Sequence, residues 1–392
     1  MLLSIYLPTL ILAFGRGLLL PIMPLYAGTF SDSYGLIGLV LAGEALGTLI
    51  ADIPAGGLLR RLNRKWAMVS GVVLIAFSVL ALAWASSIWL LFTYRLLAGV
   101  GGALWNLSRH AYLAEVTSRV GRGRAIALFG GTVRLGTFAG PAVGGLLAAA
   151  LGLTAPFFLT ALLAGLAAVA ALLFLKPAAQ SLPFGEVGGR SHPLARAVMD
   201  RYQVLLTAGF GHLLAQTIRA GRRVVIPLYG AAVLGLDVEA VGWILSVAAF
   251  LDMAMFYPAG LLMDRLGRKY AIVPSFVIQG LGMALVPLSG GFATLLLAAS
   301  VMGLGNGLGS GTMMTLGADL APSDSLGEFL GVWRLIGDGG AMGGPLVVGA
   351  VADLLGLPVA AAVIAVAGFW AAAVFAFRVP ETLKPATPWR RP

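Results

Sequence analysis

The sequence predicts an all-α integral membrane protein of twelve transmembrane helices, arranged as two six-helix bundles related by a parallel internal repeat. Three observations carry that expectation. Of 392 residues, 59% are hydrophobic and only 11% charged, and the mean hydropathy is +0.95. A soluble domain carries about 25% charged residues, so this composition cannot cover a water-facing surface. Apolar runs of about 20 residues, enough to cross a hydrocarbon core of roughly 30 Å, recur along almost the whole chain. Finally, "GGLLRRLNRK" at 56–65 returns as "GLLMDRLGRK" at 260–269, 204 residues later.

Taken in order, span 1 lies near 3–27. Its string "MLLSIYLPTLILAFGRGLLLPIMPLY" has no basic leader and no small-residue cleavage site, so it reads as a retained helix, not a signal peptide. Span 2, near 34–58, follows the turn-rich "AGTFSDSYG". Spans 3 and 4, near 66–86 and 88–112, are separated by "ASS", and spans 5 and 6, near 125–150 and 154–175, by "GLT". The longest connection, 176–203, is rich in Pro, Gly and Ser and reads as a linker. Span 7 lies near 204–230 and span 8, after "GLDVEA", near 239–262. Spans 9 and 10, near 270–288 and 291–317, flank "SGGF"; spans 11 and 12, near 327–354 and 357–378, flank "GLPV". The expected organisation is therefore an N-terminal bundle at 1–178, a cytoplasmic linker at 179–203, a C-terminal bundle at 204–378 and a cytoplasmic tail at 379–392.

The basic loop residues sort to one side. Arg60, Arg61, Arg64 and Lys65 follow span 2, and Arg119, Arg122 and Arg124 follow span 4. Lys176, Arg190, Arg196 and Arg201 fall in the linker, Arg265, Arg268 and Lys269 after span 8, and Arg378, Lys384, Arg390 and Arg391 at the end. The loops on the opposite side contain no Lys or Arg. The positive-inside rule then puts both termini in the cytoplasm, with the chain in the cell (inner) membrane. The formal charge of +10 reflects that topology and contact with anionic membrane lipids, not a nucleic-acid partner. With no cysteine, disulfides, thiol catalysis and thiolate metal sites are excluded. The three histidines are scattered, so neither a metal site nor a cofactor is expected. His110 and His212 are expected near span ends, in solvent.

The 204-residue offset extends beyond the loops. Gly38 maps to Gly242, Gly99 and Gly101 to Gly303 and Gly305, Gly123 to Gly327, and Gly140-Pro141 to Gly344-Pro345. One indel shifts Pro24–Tyr26 to Pro227–Tyr229 and brings Arg16 onto Arg219. Six spans per copy is an even number, so both copies enter from the same side. Parallel repeats of this kind suit transporters whose bundles rock about a site between them.

These residues resemble the major facilitator superfamily over nearly the whole chain. "GLLMDRLGRK" is similar to its loop signature, "RLLAGVGG" (95–102) to its span-4 motif, and "GTFAGPAVGG" (136–145) to the span-5 motif of the drug/proton antiporter branch. The span-2 loop departs from the signature, with Arg60 in place of the acid and Asn63 in place of the glycine. The resemblance implies that spans 1, 4, 7 and 10 line a central cavity. It implies helix packing for Arg95, Gly99, Gly136, Gly140, Pro141, Gly144, Gly344 and Pro345, in a rocking interface more than a ligand site.

Ionisable side chains inside spans are expensive and so are functional candidates. The cations are Arg16, Arg95, Arg134, Arg219, Arg222, Arg223 and Arg334; the acids are Glu44, Asp52, Asp252 and Asp338. Seven against four leaves three positive charges in excess, which would favour an anionic group on a substrate. Arg16, Asn106, Arg134, Gln216, Arg219, Arg223 and Arg334 are the substrate-cavity candidates; for each, bracing the bundle is the competing role. Arg222 and Arg223 have snorkelling outward as a further option. Glu44, then Asp52 and Asp252, and last Asp338 are the proton-coupling candidates, since burial raises a carboxylate pKa and a nearby Arg lowers it. The competing role is a structural ion pair, for Asp338 with Arg334 at i,i+4. Trp105 either stacks on substrate or packs against lipid or in the core.

The function expected is proton-coupled export of small amphipathic or drug-like compounds. The alternative is an organic-anion or lysolipid carrier, by symport or facilitated. A membrane sensor or enzyme would need a soluble domain or a catalytic constellation, neither of which is recognisable. Expected partners are a small-molecule substrate, protons and membrane lipids, with the chain a monomer. The offset also maps Arg124 onto Glu328, reversing that charge as well. Two reciprocal cytoplasmic latches are therefore expected, Asp264 with Arg124 and Arg60 with Glu328, with Arg64 and Arg268 beside them.

Overall fold

The computed structural model describes the backbone of residues 5–58, 64–116, 122–175, 201–322 and 325–383, and their side chains except at 53–58, 64, 110–111, 113–116 and 122–129. The described residues are helical almost throughout, and the helices fall where the apolar runs predict them. Span 1 is two helices, Leu7–Leu19 and Ile22–Gly28, bent by 41°. The break falls at Pro21, which has no N–H for the helix ladder. Spans 2 to 6 are Tyr34–Leu58, Arg64–Leu82, Ile88–Val116, Arg122–Leu151 and Ala155–Phe174.

Span 7 is Tyr202–Leu228, prolonged by a π-helical turn at Tyr229–Val233. Spans 8 and 10 are broken, into Val238–Ala254 with Phe256–Arg265 and Phe292–Leu308 with Thr312–Leu320. Span 9 is Arg268–Leu285 ending in a 3-10 turn, and spans 11 and 12 are Leu326–Leu355 and Leu357–Phe377. Among the described residues ten helices are long and apolar enough to cross a membrane, eleven with the bent span 1 counted as one. Span 7 completes the twelve. It has 27 residues, about 40 Å at 1.5 Å each, but carries Arg219, Arg222 and Arg223.

The repeat holds in the packing, through glycines that let backbones touch. A Cβ on Gly99 would meet the Glu44 carbonyl, and one on Gly303 the Ala248 carbonyl, 204 residues on in both partners. Gly71 against Gly101 has its counterpart in Ser275 against Gly305. Span 5 lies on span 1 through Gly136, Gly140 and Gly144, and span 11 on span 7 through Gly340 and Gly344.

Two seams join the halves, span 2 with span 11 and span 5 with span 8, and they obey the same offset. Gly38 abuts the Pro345 carbonyl and Gly242 the Pro141 carbonyl. Gly349 lies on Tyr34 and Gly35, while Gly145 lies on Val238 and Gly242. At the end of the molecule away from the basic loops, the Asp353 carboxylate at the end of span 11 accepts from Ser33 Oγ (2.7 Å), Tyr34 N (2.6 Å) and Gly35 N (2.9 Å). It thus caps the first turn of span 2 across the seam. At the basic end, Glu381 caps span 9 in the same manner, accepting from the N–H groups of Arg268 and Lys269 at 2.9 and 3.0 Å.

Candidate functional site

The polar core of the molecule is built on two carboxylates. Glu44, on span 2, gives one oxygen to Arg16 of span 1 at 2.9 Å and the other to Arg95 of span 4 at 2.7 Å. Gly43 and Gly47 let span 4 come close enough for the second contact. Asp252, on span 8, pairs across the seam with Arg134 of span 5, accepts from Asn306 Nδ2 of span 10 at 2.6 Å, and lies 3.9 Å from Arg222 of span 7. Arg134 also donates to Ser310 Oγ and lies over the Phe256 ring at 4.8 Å. Asp52 of span 2 pairs with Arg334 of span 11 at 3.0 Å, again across a seam, and Arg334 reaches Asp338 at 3.5 Å.

The break in span 10 opens this core. Between Leu308 and Thr312 the chain turns through Gly311 at φ +72°, a left-handed conformation that suits glycine. The turn frees backbone groups for side chains, and the Gly309 carbonyl accepts from Arg219 at 2.9 Å. Unwound backbone at membrane depth is tolerated where it lines a cavity. Here a cavity of about 270 Å³ is lined by Arg134, Gln216, Arg219, Arg223, Asn306 and the 309–311 turn, among others. Gln216 accepts weakly from Arg219 at 3.4 Å, and Arg219 lies over the Phe276 ring at 5.2 Å. Arg223 is exposed within the cavity wall.

Several expectations are corrected. The cavity described above takes its lining from spans 5, 7, 10 and 11, sharing spans 7 and 10 with the expected set. Arg16 and Asn106 are not among its lining residues, although the Arg16 side chain is 58% exposed. His212 is buried, not solvated. It stacks on Trp333 with ring centroids 4.6 Å apart, and Gly337 leaves the room for it. Arg222 turns inward, toward Asp252 and the Met302 carbonyl, and does not snorkel. Trp105 is buried in the core beneath Arg109. All four span acids are engaged in ion pairs.

Of the residues expected to form the two latches, Arg60 and the side chains of Arg64 and Arg124 lie outside the described residues. Asp264 bonds to Arg268 of its own loop at 3.4 Å, and Arg268 also binds Asp319 at 3.0 Å. Sequence reasoning missed the Arg95–Glu44 and Arg134–Asp252 pairs. The signal for the first was present in the glycines of spans 2 and 4. Among the described residues no cluster of His, Asp or Glu is placed to hold a metal ion.

A sequence profile of the Major Facilitator Superfamily matches residues 5–218 and again residues 205–391. The chain belongs to the major facilitator superfamily. The double match reflects the repeat seen in the packing, and membership makes the protein an integral membrane transporter of small molecules, not an enzyme. This facilitator is 25% identical over 358 residues to an uncharacterized MFS-type transporter of Methanocaldococcus jannaschii, covering 90% of this chain and 91% of that one. It is 25% identical over 354 residues to the class C tetracycline resistance protein of Escherichia coli, covering 86% of each. Among solved structures it superposes on the nucleoside transporter NupG with a TM-score of 0.76 at 15% identity, over 96% of this chain and 98% of that one.

Proposed function

We propose that the protein is a secondary active transporter working by alternating access, which exports small amphipathic or drug-like compounds in exchange for protons. The observation that carries this reading is the pair of carboxylates at cavity depth. Glu44 and Asp252 are each shared between arginines from different helices, and the Asp252 pair bridges the two halves. A proton on such a carboxylate abolishes charge-assisted bonds to at least two helices at once, which is the kind of switch a rocking transporter needs. The tetracycline-resistance relative supports export. The positive-inside rule supports the basic end as cytoplasmic.

A second reading, an organic-anion carrier, is favoured by the arginines that line the cavity. Purified protein in proteoliposomes separates the two. Under an imposed pH gradient, export by exchange gives substrate movement opposite to the proton flow. Flux indifferent to the gradient removes proton coupling, and movement with the protons favours the anion carrier.

A further inference from the structure

The repeat that orders both halves breaks down at one place on the outside of the molecule. In the C-terminal half, spans 9 and 12 close on each other through glycines. A Cβ on Gly368 would come within 3.3 Å of Gly280 Cα, and the Phe369 ring lies over Gly280, where a Cβ would meet it at 2.9 Å. The equivalents in the N-terminal half, 204 residues earlier, are Ala164, Ala76 and Gly165. Burial confirms that register: Phe157, Ala161, Ala164, Ala168 and Ala171 of span 6 are buried, and so are Ala361, Ala365, Gly368, Ala372 and Phe375 of span 12. Two methyl groups therefore stand between spans 3 and 6 where the other half has none. The ring is missing as well, and a Cβ on Gly165 would stand in open space. The result is a groove of about 530 Å³, lined by Val73, Ala76, Phe77 and Leu80 of span 3 and by residues between Phe158 and Val169 of span 6.

We propose that this groove holds one acyl chain of a membrane lipid, drawn from the leaflet on the non-basic side. Its chemistry, length and position select that occupant. No lining side chain carries a hydrogen-bonding group, so a polar occupant would lose its bonds to water and gain none. Phe77, Leu162 and Val169 are exposed, which puts the groove on the face turned to hydrocarbon. Residues 158–169 rise roughly 16 Å at 1.5 Å each. That is about half of a hydrocarbon core of roughly 30 Å, the depth of one leaflet. A spanning helix of a second copy would need the full depth and a channel about 10 Å wide. Trp84, just past the non-basic end of span 3, lies edge-on to Phe158 with ring centroids 5.3 Å apart. Tryptophan sits at the membrane–water interface, so the mouth is there and the deep end lies at Val73 and Val169. Lipid tails are as apolar as leucine, so what retains the chain is packing, the contacts that an unfilled groove forfeits. The chain takes the place that the Phe369 ring fills in the other half. Span 6 in turn supports span 1 beside Arg16, where Thr160 Oγ1 donates to Gly15 O at 3.3 Å. The lipid is thus an exchangeable part of the N-terminal half, where the C-terminal half has a side chain.

The full chain is reconstituted with phosphatidylcholine that carries a photoreactive diazirine on one acyl chain, either near the carbonyl or near the methyl end. Labelled peptides are then read by mass spectrometry. Labelling at residues 73–80 and 158–169 should exceed that at the equivalent residues 277–284 and 362–373 several-fold. The probe near the carbonyl should mark Leu80 and Phe158, and the probe near the methyl end Val73 and Val169. Ala76→Gly combined with Gly165→Phe copies the other half, and should lower labelling in the groove to the level of spans 9 and 12. The converse pair, Gly280→Ala with Phe369→Gly, should open a second labelled groove, and it decides the matter if the first pair fails to fold. Equal labelling of the two halves, a reversed depth order, or groove labelling that survives the Gly165→Phe pair overturns the inference. An unlabelled groove overturns it as well, and cross-linking of two chains at span 6 would name a second copy as the occupant.

Discussion

Ser246 illustrates how much a single side chain can contribute to a seam. Pro141 sits inside span 5, where the next rung of the helix ladder would join Ala142 N–H to the Phe138 carbonyl. Ser246, from span 8 of the other half, enters that rung, accepting from Ala142 N at 2.8 Å and donating to Phe138 O at 2.8 Å. The hydroxyl is buried, so Ser246→Ala leaves a donor and an acceptor in an apolar seam without it. That should destabilise the protein by about 1–3 kcal/mol, read as a lower melting temperature in detergent, with Ser246→Thr milder. A melting temperature equal to wild type would mean that the ladder closes by itself. Nothing in the sequence marks Ser246, because its repeat equivalent is Ala42. By contrast Glu44, Asp252 and Arg134 were legible as candidates simply by being charged inside apolar spans. Their partners were not, because a pairing between helices depends on rotation and depth that periodicity does not fix.

At the level of elements, the twelve spans were legible to within about four residues at their ends, since a hydrocarbon core sets both length and composition. The breaks in spans 8 and 10 were not, because Gly309 and Gly311 look like the packing glycines that fill the same helices. Also invisible were the two helix caps supplied by distant carboxylates. Asp353 holds span 2 to the other half at the non-basic end, and with it that end's closure. Asp353→Ala should weaken the cap by about 1 kcal/mol and let that end open more often. The chain has no cysteine, so a cysteine introduced at the cavity residue Ala341 reports the opening cleanly. An impermeant maleimide added from the non-basic side should label it several-fold faster in the Asp353→Ala background, and an unchanged rate removes the gating role. Glu381 caps span 9 within one half, so its loss should not change that rate. Burial raises its carboxyl, but the N–H groups of Leu383, Lys269, Arg268 and Thr382 outweigh this and hold it below the usual range. Its stabilising effect is therefore complete above about pH 4.3 and is lost as pH falls through the lower folded value.

Across the whole molecule, the two seams are related by the repeat in their glycines but not in their charges. At one seam the N-terminal half supplies the acid, Asp52, and the C-terminal half the base, Arg334. At the other, the N-terminal half supplies the base, Arg134, and the C-terminal half the acid, Asp252. The sequence suggested such reciprocity from the loop residues Arg60, Arg124, Asp264 and Glu328; in the described residues it occurs inside the spans. Each half thus presents one acid and one base to the other, and a half rotated onto the wrong seam would meet like charges. Like charges in a low-dielectric seam are costly in a way that exposed loop charges are not. Arg334→Asp tests this directly, since it gathers three acids, at positions 52, 334 and 338. It should lower both stability and transport, and adding Asp52→Arg should restore much of each, with a coupling of roughly 0.5–3 kcal/mol in a double-mutant cycle. Combining Arg334→Asp instead with Asp252→Arg, at the other seam, should give no rescue, because there the new arginine faces Arg134. Additive losses in the Asp52 cycle would mean that the seam is held by its glycines alone. Rescue by the Asp252 change would mean that the halves respond to total charge, not to the pairing across each seam.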